Sequence, residues 1–323
     1  MKKICYFNIT YRCNESCVFC AANCQANSGK YAHKKLNDLT LGEFTAALDN
    51  SSVQRDDEIW ISGGEPSLNP DFIAIISAAC ESSDFVWVST TASCFTKPHF
   101  IAALDGSHNC LFDVRLYADN PAEHDALTVT EGSFEKTVQG IKALLRARAS
   151  NSNLKYRVGV RLLLSNNTMS ALSNTALFAL NDLGVDKVSI NMLIASSANE
   201  NAEAFFPMGA AKAELQRLWQ ESNGDDRLHI SGLPLCITPF ELALRKMCSC
   251  NARPSGPVEC IYYDVIKKHE PNKSVLDRSN IGIDSMKGPQ CQECDANDNC
   301  QGIPQWYWSK YSGVESLAIN LLE

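Results

Sequence analysis

Residues 4–20 read ICYFNITYRCNESCVFC, an apolar segment that runs directly into three closely spaced cysteines. The β-branched and aromatic side chains of residues 4–9 predict a first β-strand. Cys13, Cys17 and Cys20 then fall at positions i, i+4 and i+7. This spacing also fits one face of a helix, where a buried cysteine acts as a small apolar side chain. Arg12, Asn14, Glu15 and Ser16 lie in the same segment, and their polarity favours a loop after the strand.

The three thiols indicate a metal cluster. Three thiolates within eight residues can bind three irons of a cubane and leave the fourth iron without a protein ligand. A metal site needs such an open coordination position to bind and activate another molecule. The chain holds 15 cysteines, and we identify no export signal, so reduced thiols and metal binding are favoured over a disulfide framework.

A second motif follows the next predicted strand. Residues 58–62 read EIWIS and predict a strand, which ends in Gly63, Gly64, Glu65 and Pro66. Two glycines allow a backbone to come close to a ligand, and a carboxylate can bind an ammonium group. By itself this tetrapeptide also fits an ordinary turn. Its place at the end of a strand, like that of the three cysteines, indicates a shared site.

Together, the Cys-x3-Cys-x2-Cys and Gly-Gly-Glu-Pro elements resemble the radical S-adenosylmethionine (radical SAM) superfamily. The resemblance implies that Cys13, Cys17 and Cys20 hold a [4Fe-4S] cluster whose open iron binds S-adenosyl-L-methionine (SAM). It implies that Phe19 packs beside the adenine and that residues 63–66 bind the methionine amino group. The implied activity is reductive cleavage of SAM to a 5'-deoxyadenosyl radical, which abstracts a hydrogen atom from substrate carbon.

Weaker matches lie at the ends of later strands. The resemblance implies that the carboxylate or ribose of SAM is bound at some of these positions: Ser89, Thr90, Arg115, Arg161 and Asn166. Each of them also fits a solvated residue at the rim of a barrel. Their shared placement at the carboxyl ends of strands favours a barrel. The glycine-rich sixth strand of many members is not matched, because residues 189–193 read SINML.

The fold prediction rests on an alternation of short β-branched segments with longer amphipathic ones. The predicted strands are 4–9, 58–62, 85–89, 111–116, 156–164 and 188–193. The predicted helices are 41–48, 71–79, 99–104, 134–147, 172–183 and 210–221. Such a succession predicts parallel strands joined by right-handed crossovers. We therefore expect an α/β fold, a partial (β/α)6 TIM-like barrel over residues 1–228. A flat doubly wound sheet is the alternative.

The C-terminal segment, residues 229–323, is predicted to be a small cysteine-rich domain. Cys291, Cys294 and Cys300 form a Cys-x2-Cys-x5-Cys pattern, which indicates a metal site, with structural zinc as the alternative to iron. A second, auxiliary [4Fe-4S] cluster needs a fourth thiolate, for which we choose Cys236. The rival candidates are Cys248, Cys250 and Cys260.

The same segment resembles the auxiliary-cluster domains of radical SAM enzymes, in their longer SPASM or shorter twitch form. No cysteine follows Cys300, which fits the shorter, one-cluster form better. Cys248 and Cys250 lie in a predicted loop and are also candidates for donating a hydrogen atom to a substrate radical.

Charge and hydropathy exclude some classes of protein. The net charge of −8 and the pI of about 5.3 offer no extended basic surface for nucleic acid, although a local basic patch for an anionic substrate is compatible with them. No run of roughly 18 apolar residues occurs, so we expect no membrane partner and a cytoplasmic location. The resemblance implies a low-potential electron donor of the flavodoxin or ferredoxin type.

Three functions are compared. The first is a natural-product maturase that cross-links or epimerises a ribosomal precursor peptide, because auxiliary-cluster domains are frequent among such enzymes. The second is a small-molecule radical epimerase or dehydrogenase, acting for example on an aminosugar. The third is a non-catalytic protein that uses metal only for folding.

Overall fold

The fold was analysed in a computed structural model of the chain. It describes residues 2–20, 38–104, 109–192, 206–231, 233–239, 257–264, 272–277, 285–294, 298, 300 and 302–304. The hydrogen-donor candidates Cys248 and Cys250 lie outside the described residues.

Nine strands of the described chain form one sheet. They are β1 Lys3–Asn8, β2 Glu58–Ser62, β3 Phe85–Thr90, β4 Cys110–Arg115, β5 Arg157–Leu164, β6 Lys187–Met192, β7 Leu228–Ser231, β8 Pro257–Asp264 and β9 Asn272–Asp277. Their order across the sheet is β7-β6-β5-β4-β3-β2-β1-β8-β9. Every neighbouring pair is parallel except β8 with β9, which is antiparallel.

The strand order is that of an eight-stranded barrel opened along one side. Strand β8 lies beside β1, where the last strand of a closed barrel would lie. Strands β7 and β9 form the two edges in the described part of the chain, so the sheet is open between β7 and β9. The predicted partial barrel is confirmed, and two further parallel strands extend the six that the sequence indicated.

Seven α-helices of the described chain connect these strands. They are α1 Leu41–Asn50, α2 Phe72–Ser82, α3 Pro98–Ala102, α4 Pro121–Thr128, α5 Ser133–Ser150, α6 Leu172–Leu177 and α7 Met208–Glu221. Helix α1 begins at a capping box in which Thr40 and Glu43 satisfy each other's backbone N–H groups. Helix α6 continues as a π-helix, Phe178–Leu183, which ends at Gly184 in the left-handed conformation.

The two faces of the sheet differ because successive side chains of a strand point to opposite sides. One set is buried against the helices in a single core that includes Phe7, Ile61, Val88, Phe112 and Val160. The other set faces the concave side and includes Tyr6, Trp60, Trp87, Asp113 and Arg161. With the helices packed on one face, the sheet is not doubly wound, and that alternative is wrong.

The C-terminal segment contributes to the barrel sheet. Strands β8 and β9 pair with β1 and with each other, and the predicted boundary at 228/229 falls inside β7. The division into residues 1–228 and 229–323 therefore stays a prediction. A separate two-stranded antiparallel sheet joins β10 Ser285–Met286 to β11 Ile303–Pro304. In the described ranges, no helix combines the length and apolar character needed to cross a membrane.

Candidate functional site

The three N-terminal cysteines lie in a loop after β1, which we call the cysteine loop (residues 11–20). This segment contains no helix, so the helical-face alternative is wrong. The end of α4 holds the loop: the N–H of Ser16 donates to the carbonyl of Thr128, and that of Val18 to the carbonyl of Leu127, both at 2.9 Å. The last carbonyls of a helix have no partner within the helix, and the loop supplies one.

Burial sets the electrostatics of the cysteine loop. Cys17 is 8% exposed, while Cys13 and Cys20 are half-buried. Burial raises the pKa of Cys13 to about 11 and raises the pKa of Cys17 above its ordinary value. The Cys17 thiol donates to the carboxylate of Glu15 at 3.5 Å, and burial raises the pKa of Glu15 to about 7. Such thiols ionise on binding a metal, because the metal charge replaces the lost hydration.

The Gly-Gly-Glu-Pro segment is joined to the cysteine loop by backbone hydrogen bonds. The N–H of Gly64 donates to the carbonyl of Thr10, and the N–H of Glu65 to the carbonyl of Arg12, both at 2.8 Å. A Cβ on Gly64 would lie 2.2 Å from the Arg12 oxygen, and Gly63 has a φ of +136°. Both positions therefore require glycine, since any side chain would push the two loops apart.

Glu65 is fully buried at the end of this segment. Its carboxylate accepts hydrogen bonds from the Thr90 hydroxyl at 2.6 Å, the Thr91 N–H at 2.7 Å and the Ser67 N–H at 3.2 Å. Pro66 begins the short 3-10 turn that follows. The carboxylate is thus held in one orientation by β3, which explains how a single acid can be aimed at a ligand.

Arg115 reaches the same segment from the end of β4. Its Nη2 donates to the carbonyl of Gly64 at 3.1 Å, and its buried Nε has no hydrogen-bond partner among the described residues. Burial lowers the pKa of Arg115, but the nearby Tyr117, Glu65 and Cys13 outweigh it and raise the pKa above its ordinary value. A fixed positive charge therefore lies beside both motifs.

Phe19 packs on Tyr117 rather than projecting into solvent. The two rings meet edge to face with centroids 4.8 Å apart, and Tyr117 stacks on His124 at 5.7 Å. Phe19 and Tyr117 are buried together with Cys17. The aromatic residue before the third cysteine thus anchors the cysteine loop to α4.

The remaining predicted SAM contacts lie in different places. Arg161 pairs with Asp113 and lies over the Trp60 ring, on the concave face. Ser89 is half-buried on the same face, in register with Asp113, whereas Asn166 is exposed in the loop after β5. The hydroxyl of Thr90 contacts Glu65, as described above. The structure therefore brings Arg115 and Thr90, but not Asn166, to the Gly-Gly-Glu-Pro segment.

The structure places the C-terminal cysteines in two pairs. The Sγ of Cys300 accepts hydrogen bonds from the N–H groups of Leu235 and Gly302, each at 3.4 Å, which places it beside Cys236. Cys291 and Cys294 share one 3-10 turn, Pro289–Glu293, and its C-cap. The four candidate ligands are all half-buried: Cys236, Cys291, Cys294 and Cys300.

Cys260, a rival for the fourth ligand, lies within β8 in register with Ile4 of β1.

Among the residues that the structure describes, no three His, Cys, Asp or Glu side chains are arranged to share one metal ion. A cubane places its thiolates on different irons, so that each sulfur binds its own metal atom.

Sequence reasoning missed the groups that act through their backbone. The carbonyls of Thr10 and Arg12 and the N–H of Thr91 hold the two motifs together. Backbone groups are the same in every residue type, so no pattern of side chains could have indicated them. Tyr117 was not assigned a role either, since ring contacts across the loop depend on the tertiary fold.

The comparison with protein families agrees with the fold, an α/β partial barrel, and with the two N-terminal motifs. The sequence model described as the Radical SAM superfamily matches residues 7–179, more than half of the chain and both N-terminal motifs. The chain belongs to the radical SAM superfamily. It is an enzyme of this class, and its cofactors are a [4Fe-4S] cluster and SAM, as predicted.

Curated relatives match shorter segments. A S-adenosylmethionine-dependent nucleotide dehydratase from Selenomonas ruminantium is 34% identical over 92 residues, 28% of this chain and 30% of that protein. A GTP 3',8-cyclase from Shewanella denitrificans is 26% identical over 140 residues, 43% of this chain and 40% of that protein. The matches thus span well under half of these relatives.

Solved structures share the fold over more of the chain. Streptococcus suis SuiB bound to the precursor peptide SuiA has a TM-score of 0.64 at 12% identity, covering 99% of this chain and 76% of that one. The anSMEcpe structure with bound AdoMet has a TM-score of 0.53 at 12% identity, covering 72% and 64%. At this identity the likeness concerns the fold alone.

Proposed function

We propose that this radical SAM enzyme modifies a peptide, by cross-linking or epimerisation, and that its C-terminal segment holds an auxiliary [4Fe-4S] cluster of the twitch or SPASM type. The observation that carries the proposal is the position of the Cys300 sulfur, which is hydrogen-bonded to the backbone beside Cys236. Two backbone N–H groups stabilise a thiolate there, as a ligand of an iron–sulfur cluster requires.

The residues at the N-terminal site fit the family's cofactors. The two glycines leave a cradle that a Cβ would fill, and the buried Nε of Arg115 is without a partner among the described residues. Cys13, Cys17 and Cys20 would hold the cluster. Glu65 would accept the ammonium group of SAM, and Arg115 would bind its carboxylate.

A bound cluster would supply the electron for cleavage of SAM to a radical able to take a hydrogen atom from the substrate. The chain's own residues orient and enclose the reactants. The two inter-loop hydrogen bonds fix the cluster ligands relative to the Gly-Gly-Glu-Pro backbone. The buried Cys17, Phe19 and Tyr117 exclude water from one side of the cysteine loop.

The peptide substrate is supported by two considerations. Auxiliary-cluster domains are frequent among peptide-modifying radical enzymes, which this segment resembles. The fold of the chain also follows that of SuiB in complex with a precursor peptide over nearly its whole length. A flavodoxin- or ferredoxin-type electron donor and a cytoplasmic location stay predictions.

A nucleotide or another small molecule is the second candidate substrate. It is favoured by the two curated relatives, whose names specify nucleotide chemistry. The third possibility, a non-catalytic protein, is wrong, because the chain belongs to a class of enzymes.

The test is anaerobic reconstitution followed by iron and sulfide analysis and a SAM-cleavage assay. We expect about eight irons for two clusters, falling to about four in a Cys13/Cys17/Cys20→Ala variant, with 5'-deoxyadenosine formed only by the wild type. Peptides encoded beside this gene and a panel of nucleotides would then be compared for stimulation of turnover. One zinc without sulfide would contradict the auxiliary cluster.

A further inference from the structure

A buried ion pair lies on the concave face of the sheet, outside the site described above. Arg161 of β5 pairs with Asp113 of β4, whose side chain is 1% exposed. Apart from this ion pair, the Asp113 carboxylate has no hydrogen-bond donor among the described residues. A carboxylate without other partners is costly to bury, so its position depends on the guanidinium that it holds.

Arg161 and Arg115 contact different partners. Arg161 is the register neighbour of Arg115 on the adjacent strand, but the two side chains diverge. Arg115 donates to the carbonyl of Gly64, whereas Arg161 turns toward Asp113, which lies two residues nearer the start of β4. The two arginines therefore serve different parts of the barrel.

Arg161 also contacts an aromatic side chain of the concave face. Its guanidinium carbon lies 5.4 Å from the centre of the Trp60 ring, across the concave face from β5 to β2. Trp60 is stacked on Trp87 with ring centres 4.7 Å apart and planes 3° apart, and the Lys187 ammonium lies 4.3 Å over Trp87. Cation–π contact favours a guanidinium laid flat on an indole. We call this layer of two rings and two cations the floor.

The floor presents positive charge in an acidic protein. On the concave side of β2 to β6 the acidic side chains are Asp113, paired with Arg161, and Glu58, paired with Lys2, and both are buried. The Arg161 side chain is 23% exposed, so its outer N–H groups reach the open face. A guanidinium fixed on one side and accessible on the other is suited to charge-assisted hydrogen bonds with an anion.

We propose that Arg161 binds an anionic group of the substrate, a carboxylate or a phosphate, on the floor of the concave face. Asp113 acts as a positioning residue that holds the guanidinium in place. The inference rests on the proposed function only in taking the concave face as the place of the substrate. A peptide would supply an acidic side chain or terminal carboxylate, and a nucleotide would supply its phosphates.

The test uses the reconstituted, SAM-loaded enzyme and three probes followed by ligand-observed NMR. The probes are N-acetyl-L-glutamate α-amide, the neutral N-acetyl-L-glutamine α-amide and inorganic pyrophosphate. We expect saturable binding of one of the two anions, with the neutral amide at least about tenfold weaker, as the loss of a charge-assisted hydrogen bond predicts. Preference for the carboxylate would indicate a peptide source, and preference for pyrophosphate a nucleotide source.

Variants separate the two arginines. Arg161→Gln is expected to weaken anion binding at least about tenfold while changing SAM affinity less than about twofold, and Arg115→Gln should do the reverse. Because Arg161→Gln leaves Asp113 unpaired, an Asp113→Asn/Arg161→Gln double variant provides a charge-balanced version if the single variant fails to fold. Undiminished anion binding in both would overturn the proposal.

Asp113→Asn tests the positioning role. The substitution removes a negative charge, and this change alone would strengthen anion binding. If Asp113 instead positions Arg161, anion binding should become weaker in spite of the more positive net charge. Stronger binding would overturn the role of Asp113. If neither anion binds, or if the neutral amide binds equally well, the proposal that Arg161 binds an anion is wrong. This outcome is distinct from a failure of the proposed function, which SAM cleavage and iron content test separately.

Discussion

The backbone N–H of Glu65 donates a 2.8 Å hydrogen bond to the carbonyl oxygen of Arg12, the residue immediately before Cys13. With the parallel bond from Gly64 to Thr10, it makes one unit of two motifs that lie some fifty residues apart in the sequence. The proposed cluster ligands and the proposed SAM-binding carboxylate are therefore positioned by the same pair of strands. We call these two hydrogen bonds the junction of the motifs. Substitutions at the junction should reduce both iron incorporation and SAM binding.

Gly64→Ala is expected to weaken SAM binding at least about tenfold and to reduce iron incorporation, since overpacking of this kind costs about 1–3 kcal/mol. The added Cβ would lie 2.2 Å from the Arg12 oxygen, so the two loops must separate. Equilibrium dialysis with SAM and iron analysis provide the measurement. Gly42→Ala is the matched control, because a Cβ there meets no atom within 4 Å. Equal behaviour of the two variants would contradict the role of the junction.

Glu65→Gln should lower SAM affinity and the free energy of unfolding, the latter by about 1–3 kcal/mol. The carboxylate accepts from the N–H groups of Ser67 and Thr91, and an amide must turn its NH2 toward one of these donors. Guanidinium denaturation and SAM titration would measure both effects. Glu43→Gln, in the exposed capping box of α1, is the control, since glutamine also satisfies this motif. A Glu65→Gln protein with normal SAM binding would exclude the ammonium contact.

The stability of the protein should fall between pH 6.5 and pH 4 because of His124. Burial lowers the pKa of this histidine to about 4, below the unfolded value of 6.5, so the neutral form is favoured in the folded state. Stability from this group is complete above pH 6.5 and is lost as the unfolded chain takes up the proton. At pH 5.5 the loss is about 1 kcal/mol relative to pH 7.5.

Denaturation of wild type and His124→Gln at these two pH values checks this expectation. The variant should lack about 1 kcal/mol of the pH dependence, because other titrating groups are unchanged. If the free energy of unfolding changes equally with pH in the two proteins, His124 is not held neutral in the folded state.

Cys236→Ala should reduce the iron content from about eight to about four per chain and leave 5'-deoxyadenosine formation from SAM measurable. The physical reason is that a four-iron cluster with one thiolate missing is labile. Cys80→Ala is the control, since this buried thiol belongs to the helix-side core and is remote from both motifs in the sequence. Full iron content in Cys236→Ala would shift the fourth ligand to Cys248, Cys250 or Cys260.

The strands and helices of the barrel were largely predictable because they depend on local periodicity. Residues 58–62 and the start of helix α1 at residue 41 were placed correctly, since β-branched alternation and apolar helical periodicity act within a few residues. The pairing of strand β8 with β1 was not predicted. That pairing joins segments some 250 residues apart, and no local pattern specifies it.

The site shows the same division. The identity of the cysteines and of Glu65 was evident from spacing, because each chemical role restricts the residue type. The hydrogen bonds from Thr90 and Thr91 to Glu65 and the pairing of Arg161 with Asp113 were not evident. They depend on which side chains the sheet brings into register on one face.

By itself, the sequence determined the family, the α/β alternation and the two motifs that are proposed to bind cluster and SAM, since these follow from residue type and spacing. Only the tertiary structure decided how Arg12 and Glu65 join the motifs, and that Arg115 and Arg161 turn to different partners. The physical reason is that strand register and close backbone approach depend on contacts between distant segments. The local sequence around each residue does not specify these contacts.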